Sequence, residues 1–242
     1  MSLDLSEDEF LGGRLKILQP KSGFRAAIDS VLLPASLSAA NGMRVLDAGA
    51  GAGVGALCLR ARAPEFEVTA YEADAELVDL ARESARRNDL PLDVQCRDLL
   101  CAREGKRFDQ VMTNPPYLDP ARAQAPPDVG KARAHVESAS LGDWLSACFA
   151  LLEPKGYLTL IHRADRLPEL LSLLEARAGD IAVFPLWPGE GKPARRVLVR
   201  ARKDSRSPSR LLAGLMLHGV GERYTNEAEA ILRHGAAIDL DG

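Results

Sequence analysis

The stretch Arg44-Val-Leu-Asp47-Ala-Gly49-Ala-Gly51-Ala-Gly53 decides how this chain folds. Its opening residues are a short, mostly apolar run that halts at glycine, the pattern of a buried parallel strand. The glycines at alternate positions then permit a tight strand-to-helix turn and let a ligand approach the backbone closely. Residues 54–62 carry the helix. The same alternation continues outward. Strand 66–71 ends at Glu72, and residues 75–88 place Leu77, Val78, Ala81 and Ala85 at helical spacing with charges opposite. A strand at 92–96 ends before Asp98, and another at 108–113 ends at Asn114. A helix near 140–152, a strand at 156–162, a helix near 165–177 and strands near 181–186 and 196–202 complete the series. Strands alternating with helices of this length imply βαβ units, hence an α/β fold on a doubly wound, mostly parallel sheet.

A chain of 242 residues is expected to form one large domain, 1–242, with no need of metal or disulfide staples. Its expected parts are a lead-in at 1–42, a core at 43–204 and an extension at 205–242. No apolar run approaches the ~18 residues of a membrane span. The acidic N-terminus lacks the apolar region of a secretory signal. The four cysteines are irregularly spaced, with no C-x-x-C pair, which fits a reduced, cytoplasmic protein. The four histidines are equally scattered, so no metal site is expected. A net charge of -3 does not announce a nucleic-acid binder. The distribution is less neutral. Residues 192–210 hold Lys192, Arg195, Arg196, Arg200, Arg202, Lys203, Arg206 and Arg210 against Asp204 alone. Such a strip either tracks phosphates or guards an edge strand, and the sequence leaves both readings open. Two segments break the regularity: the Pro-rich connection 115–139 and the polar turn 203–210.

The chemistry-bearing residues sit where strands end, the crevice in which open α/β sheets bind ligands. Gly49, Gly51 and Gly53 form the cradle. Gly51-x-Gly53-x-x-Ala56 also satisfies a relaxed dinucleotide fingerprint. Asp47 speaks against that reading, because an anion at the mouth of a pyrophosphate cradle repels it, whereas it suits an ammonium group. Glu72, with Ala73 beside it, can accept both ribose hydroxyl protons, as it would in either kind of site. Asp98 can accept from an adenine amino group, with Leu99 supplying apolar contact. Asn114-Pro115-Pro116-Tyr117 is the discriminating element. Consecutive prolines fix φ and cannot donate, so the Asn side-chain oxygen and the Pro115 carbonyl are held as free acceptors. That pair can take both hydrogens of an exocyclic amine and leave the nitrogen lone pair free to attack. Tyr117 offers a face on which a planar substrate stacks.

The glycine turn, Glu72, Asp98 and Asn-Pro-Pro-Tyr together resemble the class I methyltransferases that modify exocyclic or amide nitrogens. The lead-in Gln19-Pro-Lys21-Ser-Gly23-Phe24-Arg25-Ala-Ala-Ile-Asp29-Ser-Val-Leu-Leu and the segment Tyr224-Thr-Asn-Glu-Ala-Glu-Ala-Ile-Leu-Arg233 are similar to one branch. That branch is the bacterial tRNA1(Val) adenine-37 N6-methyltransferases. The resemblance runs over nearly the whole chain, with Asn226 standing where the branch carries proline. It implies a seven-stranded Rossmann-like methyltransferase sheet with an antiparallel strand near the C-terminus, and S-adenosylmethionine as cofactor. It also implies Asp29 at the cofactor pocket and tRNA as partner. For an acidic protein acting on tRNA, the charge distribution makes Lys21 and Arg25, with Arg196 and Arg200 of the strip, the candidates for substrate binding beside Tyr117.

Other readings stay open at this level: a glutamine amide or a base of rRNA or DNA as acceptor, a nicotinamide-dependent oxidoreductase, and a catalytically silent nucleotide-binding module. Calorimetric titration separates the cofactor classes. S-adenosylmethionine or its demethylated product is expected to bind and NAD is not; tighter binding of NAD would overturn the reading of Asp47.

Overall fold

The computed structural model describes residues 4–22, 25–38, 42–102, 105–116, 140–219, 221 and 223–241. Strand β3 (Arg44–Ala48) lies in the middle of its sheet. It pairs in parallel with β4 (Glu67–Glu72) on one side and β6 (Phe108–Thr113) on the other. Beyond β4 comes β5 (Asp93–Cys96), and beyond β6 comes β7 (Leu152–Arg163), both parallel. Then β9 (Arg196–Lys203) inserts antiparallel between β7 and β8 (Ala178–Trp187). The long strands thus give the expected mostly parallel α/β sheet with its antiparallel member.

The strand count needs correcting. Two short strands, β10 (Arg210–Leu211) and β11 (Leu215–Met216), run parallel along the outer edge of β8 and bring the sheet to nine strands among the described residues. The segment 210–216 covers the edge backbone of β8 and buries Leu215, while Leu211 stays in water.

Alternation along each strand sends side chains to two separate cores. Val45, Ala70, Met112 and Ile161 face helices α1 (Asp29–Ala35), α2 (Val54–Arg62), α3 (Ala75–Arg87) and α6 (Asn226–His234). Leu46, Tyr71, Val111 and Leu160 face α4 (Leu141–Leu151) and α5 (Leu167–Glu175). Helices cover both faces, as double winding requires.

The lead-in folds as a separate antiparallel hairpin, β1 (Leu5–Phe10) with β2 (Leu15–Pro20). Its free edge is not left open. Ser84 Oγ accepts from Leu18 N–H at 3.0 Å and Asn88 Oδ1 accepts from Lys16 N–H at 3.0 Å, so α3 serves as the missing strand. At the other end of the chain, Thr225 caps α6 by accepting from Ala228 N–H at 3.1 Å. The tail then returns to α1, where Ile238 N–H donates to the Ala35 carbonyl at 2.8 Å.

Arg200 is the side chain whose expected role the structure overturns. It is 2% exposed, so it cannot meet RNA phosphates. Its guanidinium donates to Ser38 Oγ and to the Leu240 carbonyl, both at 3.1 Å, pairs with Asp241, and lies over the Tyr157 ring. Strand alternation points it toward the face that the C-terminal tail covers, and the tail supplies its acceptors. Arg200→Ala should cost about 2–4 kcal/mol of stability, since it leaves those acceptors unpaired. Chemical denaturation checks this; an unchanged midpoint would show that the tail holds without it.

Candidate functional site

A cavity of about 400 Å³ opens at the carboxyl ends of β3, β4 and β6, a size suited to a nucleoside-like ligand. Its floor is the turn after β3. Tyr71 of β4 supplies one carbonyl that accepts from both Gly49 and Ala50 N–H at 3.0 Å, which folds the turn back over the strand end. The three glycines have left-handed φ angles for different purposes. At Gly49 (φ +75) a Cβ would sit 2.8 Å from the Trp144 ring, and at Gly53 (φ +81) 2.9 Å from the Ala81 Cβ. Those two are packing requirements. At Gly51 (φ +57) a Cβ would meet nothing within 4 Å, because it would face ligand space.

Two carboxylates converge on that space. Glu72 Oε2 accepts from Gly51 N–H at 2.8 Å and Oε1 from Asp74 N–H at 3.0 Å. Each oxygen still has a lone pair for a hydroxyl donor. Asp47 is buried at the end of β3. Burial pushes its carboxyl up to about 7, against the pull of the Ala56 N–H, and the nearby Glu72 charge pushes the same way. A cationic ligand would reverse this by giving the buried anion a partner.

On the opposite wall, β6 delivers Asn114, Pro115 and Pro116 directly to the cavity. The wall is tied to the floor through Thr113, whose Oγ1 donates to the Ala48 carbonyl at 2.8 Å and accepts from Trp144 Nε1 at 2.9 Å. Tyr117 lies outside the described residues.

Other expected site residues are arranged differently. Ala73 and Leu99 line the cavity, but Asp98 does not: its Oδ1 caps the turn by accepting from Leu100 N–H at 2.9 Å. Asp29 lies off the wall, accepting from Arg196 Nε at 3.0 Å, while its neighbour Ser30 lines the cavity. Lys21 and Arg25 are turned to Asp4 and Asp8, at 2.8 and 2.5 Å. The structure adds residues that sequence reading missed. Trp144 lines the cavity from α4, and Arg97 does so while donating to the Tyr71 hydroxyl at 3.2 Å. Gln19 joins them from β2, held by the Ala26 N–H at 2.8 Å. A tryptophan inside an otherwise ordinary buried helix face was the only signal for the first; Arg97 carried none, and Gln19 was visible only as the first residue of the lead-in. Among the described residues no helix is long and apolar enough to cross a membrane, and no cluster of metal-ligating side chains is found.

The Asp47 carboxyl makes stability depend on pH. Its folded value of about 7 exceeds the ordinary 3.8, so the folded state retains a proton that the unfolded state releases. Stability of the unliganded protein should therefore fall as pH rises from about 4 through about 7. Asp47→Asn should remove that fall and stabilise the protein at neutral pH while weakening cofactor binding. Urea midpoints across this range check it; an identical pH dependence in the variant would refute the assignment.

Comparison with known proteins places this geometry. Residues 25–137 match the model of the methyltransferase small domain. A tRNA1(Val) (adenine(37)-N6)-methyltransferase of Aeromonas hydrophila is 29% identical over 74% of this chain and 77% of its own length. The protein of the same name from Vibrio parahaemolyticus is 25% identical over 76% of this chain and 78% of its own. A release factor glutamine methyltransferase of Deinococcus radiodurans is 44% identical, over 36% of this chain and 31% of its own. Among solved structures, a predicted O-methyltransferase of Agrobacterium tumefaciens superposes with a TM-score of 0.73 at 26% identity, covering 87% of this chain and 98% of that one. With the glycine turn, paired carboxylates and Asn-Pro-Pro wall already in one cavity, these likenesses show an S-adenosylmethionine-dependent methyltransferase built on the fold of the class I enzymes.

Proposed function

We propose that the chain transfers the methyl group of S-adenosylmethionine to the exocyclic N6 of an adenine in tRNA. The observation that carries this reading is that Asn114, Pro115 and Pro116 line the same cavity as the glycine turn. The cavity suits the cofactor on three counts. Asp47 is a buried carboxylate in want of a cation and would hold the ammonium group. Glu72, oriented by two backbone donors, would take the ribose hydroxyls. Gly51 leaves open the space into which any side chain would intrude. Ala73 and Leu99 would flank the adenine ring of the cofactor, with Asp98 holding the turn that presents Leu99. Gln19, Ala26, Ser30 and Leu33 also line the cavity, which supports the lead-in 1–42 as its cover over a core at 43–204.

When bound, S-adenosylmethionine supplies an electrophilic methyl group on a sulfonium sulfur. The chain's own contribution is alignment. The Asn114 side-chain oxygen and the Pro115 carbonyl accept the two hydrogens of the substrate amine, and the nitrogen lone pair is left facing into the cavity. Tyr117 would stack the base. No side chain need act as base beforehand, because the nitrogen becomes acidic on gaining the methyl and passes its proton to water.

The alternative acceptor is a protein glutamine amide, which the same clamp would hold. The relatives named for tRNA cover about three quarters of this chain, whereas the release factor enzyme covers 36%, which favours the nucleobase. A tRNA substrate also accords with a cytoplasmic protein. Asn114→Ala should raise the barrier by ~2–4 kcal/mol, by analogy with loss of one oxyanion-hole donor, and leave cofactor affinity within a few-fold. Turnover on an unmodified tRNA transcript measures this, and near-wild-type rates would remove the clamp. Mass spectrometry of tRNA from cells with and without the gene tests the substrate; an unchanged methyladenosine content would shift the assignment to the amide.

A further inference from the structure

The basic strip at 192–210 is two surfaces. Because β9 runs antiparallel to β7 and β8, Arg196 lies at the carboxyl end of the sheet and Lys203 at the far end. The rear half is structural or remote: Arg200 is buried, and Arg202 donates to the Lys155 carbonyl at 3.2 Å. The front half joins other segments at the carboxyl end of the sheet, the end at which the cavity opens. Arg196 sits directly opposite Arg163 of β7, and Ala164 N–H donates to the Arg195 carbonyl at 3.0 Å. On the other side, Leu217 N–H donates to the Trp187 carbonyl at 2.8 Å, which brings the C-terminal segment to the same rim. A Cβ on Gly189 would lie 3.6 Å from Lys192 Cδ and 3.7 Å from the His218 carbonyl oxygen. His218 stacks on Tyr224 at 4.7 Å, and Gly219 N–H donates to the Arg223 carbonyl at 2.8 Å, which closes a short loop and fixes Arg223 on the rim.

The charges on this rim are not all neutralised. Arg163 pairs with Asp165, Arg166 with Glu169 and Arg196 with Asp29. Lys192, Arg195 and Arg223 are exposed and have no carboxylate partner among the described residues. Like charges placed directly across a strand pair, as Arg163 and Arg196 are, cost stability. On an acidic protein, cations gathered at one rim set up a local positive field against the net charge. Arg196 links the rim to the cavity, because its partner Asp29 precedes Ser30 of the cavity wall.

We infer that Lys192, Arg195 and Arg223 bind the phosphodiester backbone of the RNA strand that flanks the reacting adenine. The inference rests on the tRNA reading above and assigns the surface that reading needs. Phosphate contacts of this kind fix register and orientation, and base contacts in the cavity give the specificity.

The test is the salt dependence of binding to an unmodified tRNA transcript, with cofactor affinity measured alongside. For the triple variant Lys192→Ala/Arg195→Ala/Arg223→Ala, the slope of log affinity against log salt should become shallower by about 2, and affinity at low salt should drop about tenfold or more. S-adenosylmethionine binding should stay at the wild-type value. Arg202→Ala/Arg206→Ala, at the rear of the sheet, should keep the wild-type slope. A wild-type slope in the triple variant would overturn the rim while leaving the methyltransferase reading intact. Failure of the wild-type protein to bind the transcript at any salt would overturn the rim together with the tRNA reading.

Discussion

The constraint on which the site depends is the passage of the Gly49 backbone between the Tyr71 carbonyl and the Trp144 ring. Tyr71 takes two N–H donors from the turn, and Trp144 lies so close that no side chain fits at Gly49. Trp144 is in turn anchored through Thr113 to the carbonyl of Ala48, the residue before the turn. Strands β3, β4 and β6 and helix α4 are thus locked together at one point. Asn114 follows Thr113 immediately, so the lock that shapes the cofactor floor also sets the substrate wall. Distance between the two motifs in sequence is about sixty residues; in space they share one hydrogen-bonded triad.

Electrostatics at the floor works against the empty fold. A carboxyl as buried as Asp47, with Glu72 nearby, is held partly protonated near neutrality. Glu72 instead accepts two backbone N–H bonds. The two acids divide the work by environment: one is solvated by the peptide backbone, the other awaits a cation. Ligand sites commonly retain such a local cost because relief of it contributes to binding.

Much of this was legible in the sequence. The central strands could be read because buried parallel strands are continuous apolar runs that end at glycine or an acid, and Asp47, Glu72 and Asn114 fell at the expected ends. The β1–β2 hairpin was not legible, since Leu5-Ser-Glu-Asp-Glu-Phe reads as a charged tail and the other edge of β2 is met by Ser84 and Asn88, far away in sequence. The fate of the arginines was equally hidden. Composition shows a basic strip, but only strand direction and the returning tail decide that Arg200 is interior and Arg195 on the rim. Trp144 belonged to the site for a reason that needs the third dimension, its edge against Gly49. Asp98 shows the converse: its place in the chain suggested a ligand contact, and its carboxylate instead caps a turn.

The return of the C-terminal tail to α1 has a consequence for synthesis. Ile238 bonds Ala35, and Arg200 bridges Ser38 to Leu240, so the helix that contributes Ser30 and Leu33 to the cavity is fastened by the last described residues. On a ribosome that delivers the chain from its N-terminus at roughly 5–20 residues per second, the central strands emerge and pair well before that fastening exists. The wall that Ser30 and Leu33 form is then fastened only after every described strand of the sheet has been made. One short helix thus carries cavity wall on one side and the attachment of the tail on the other.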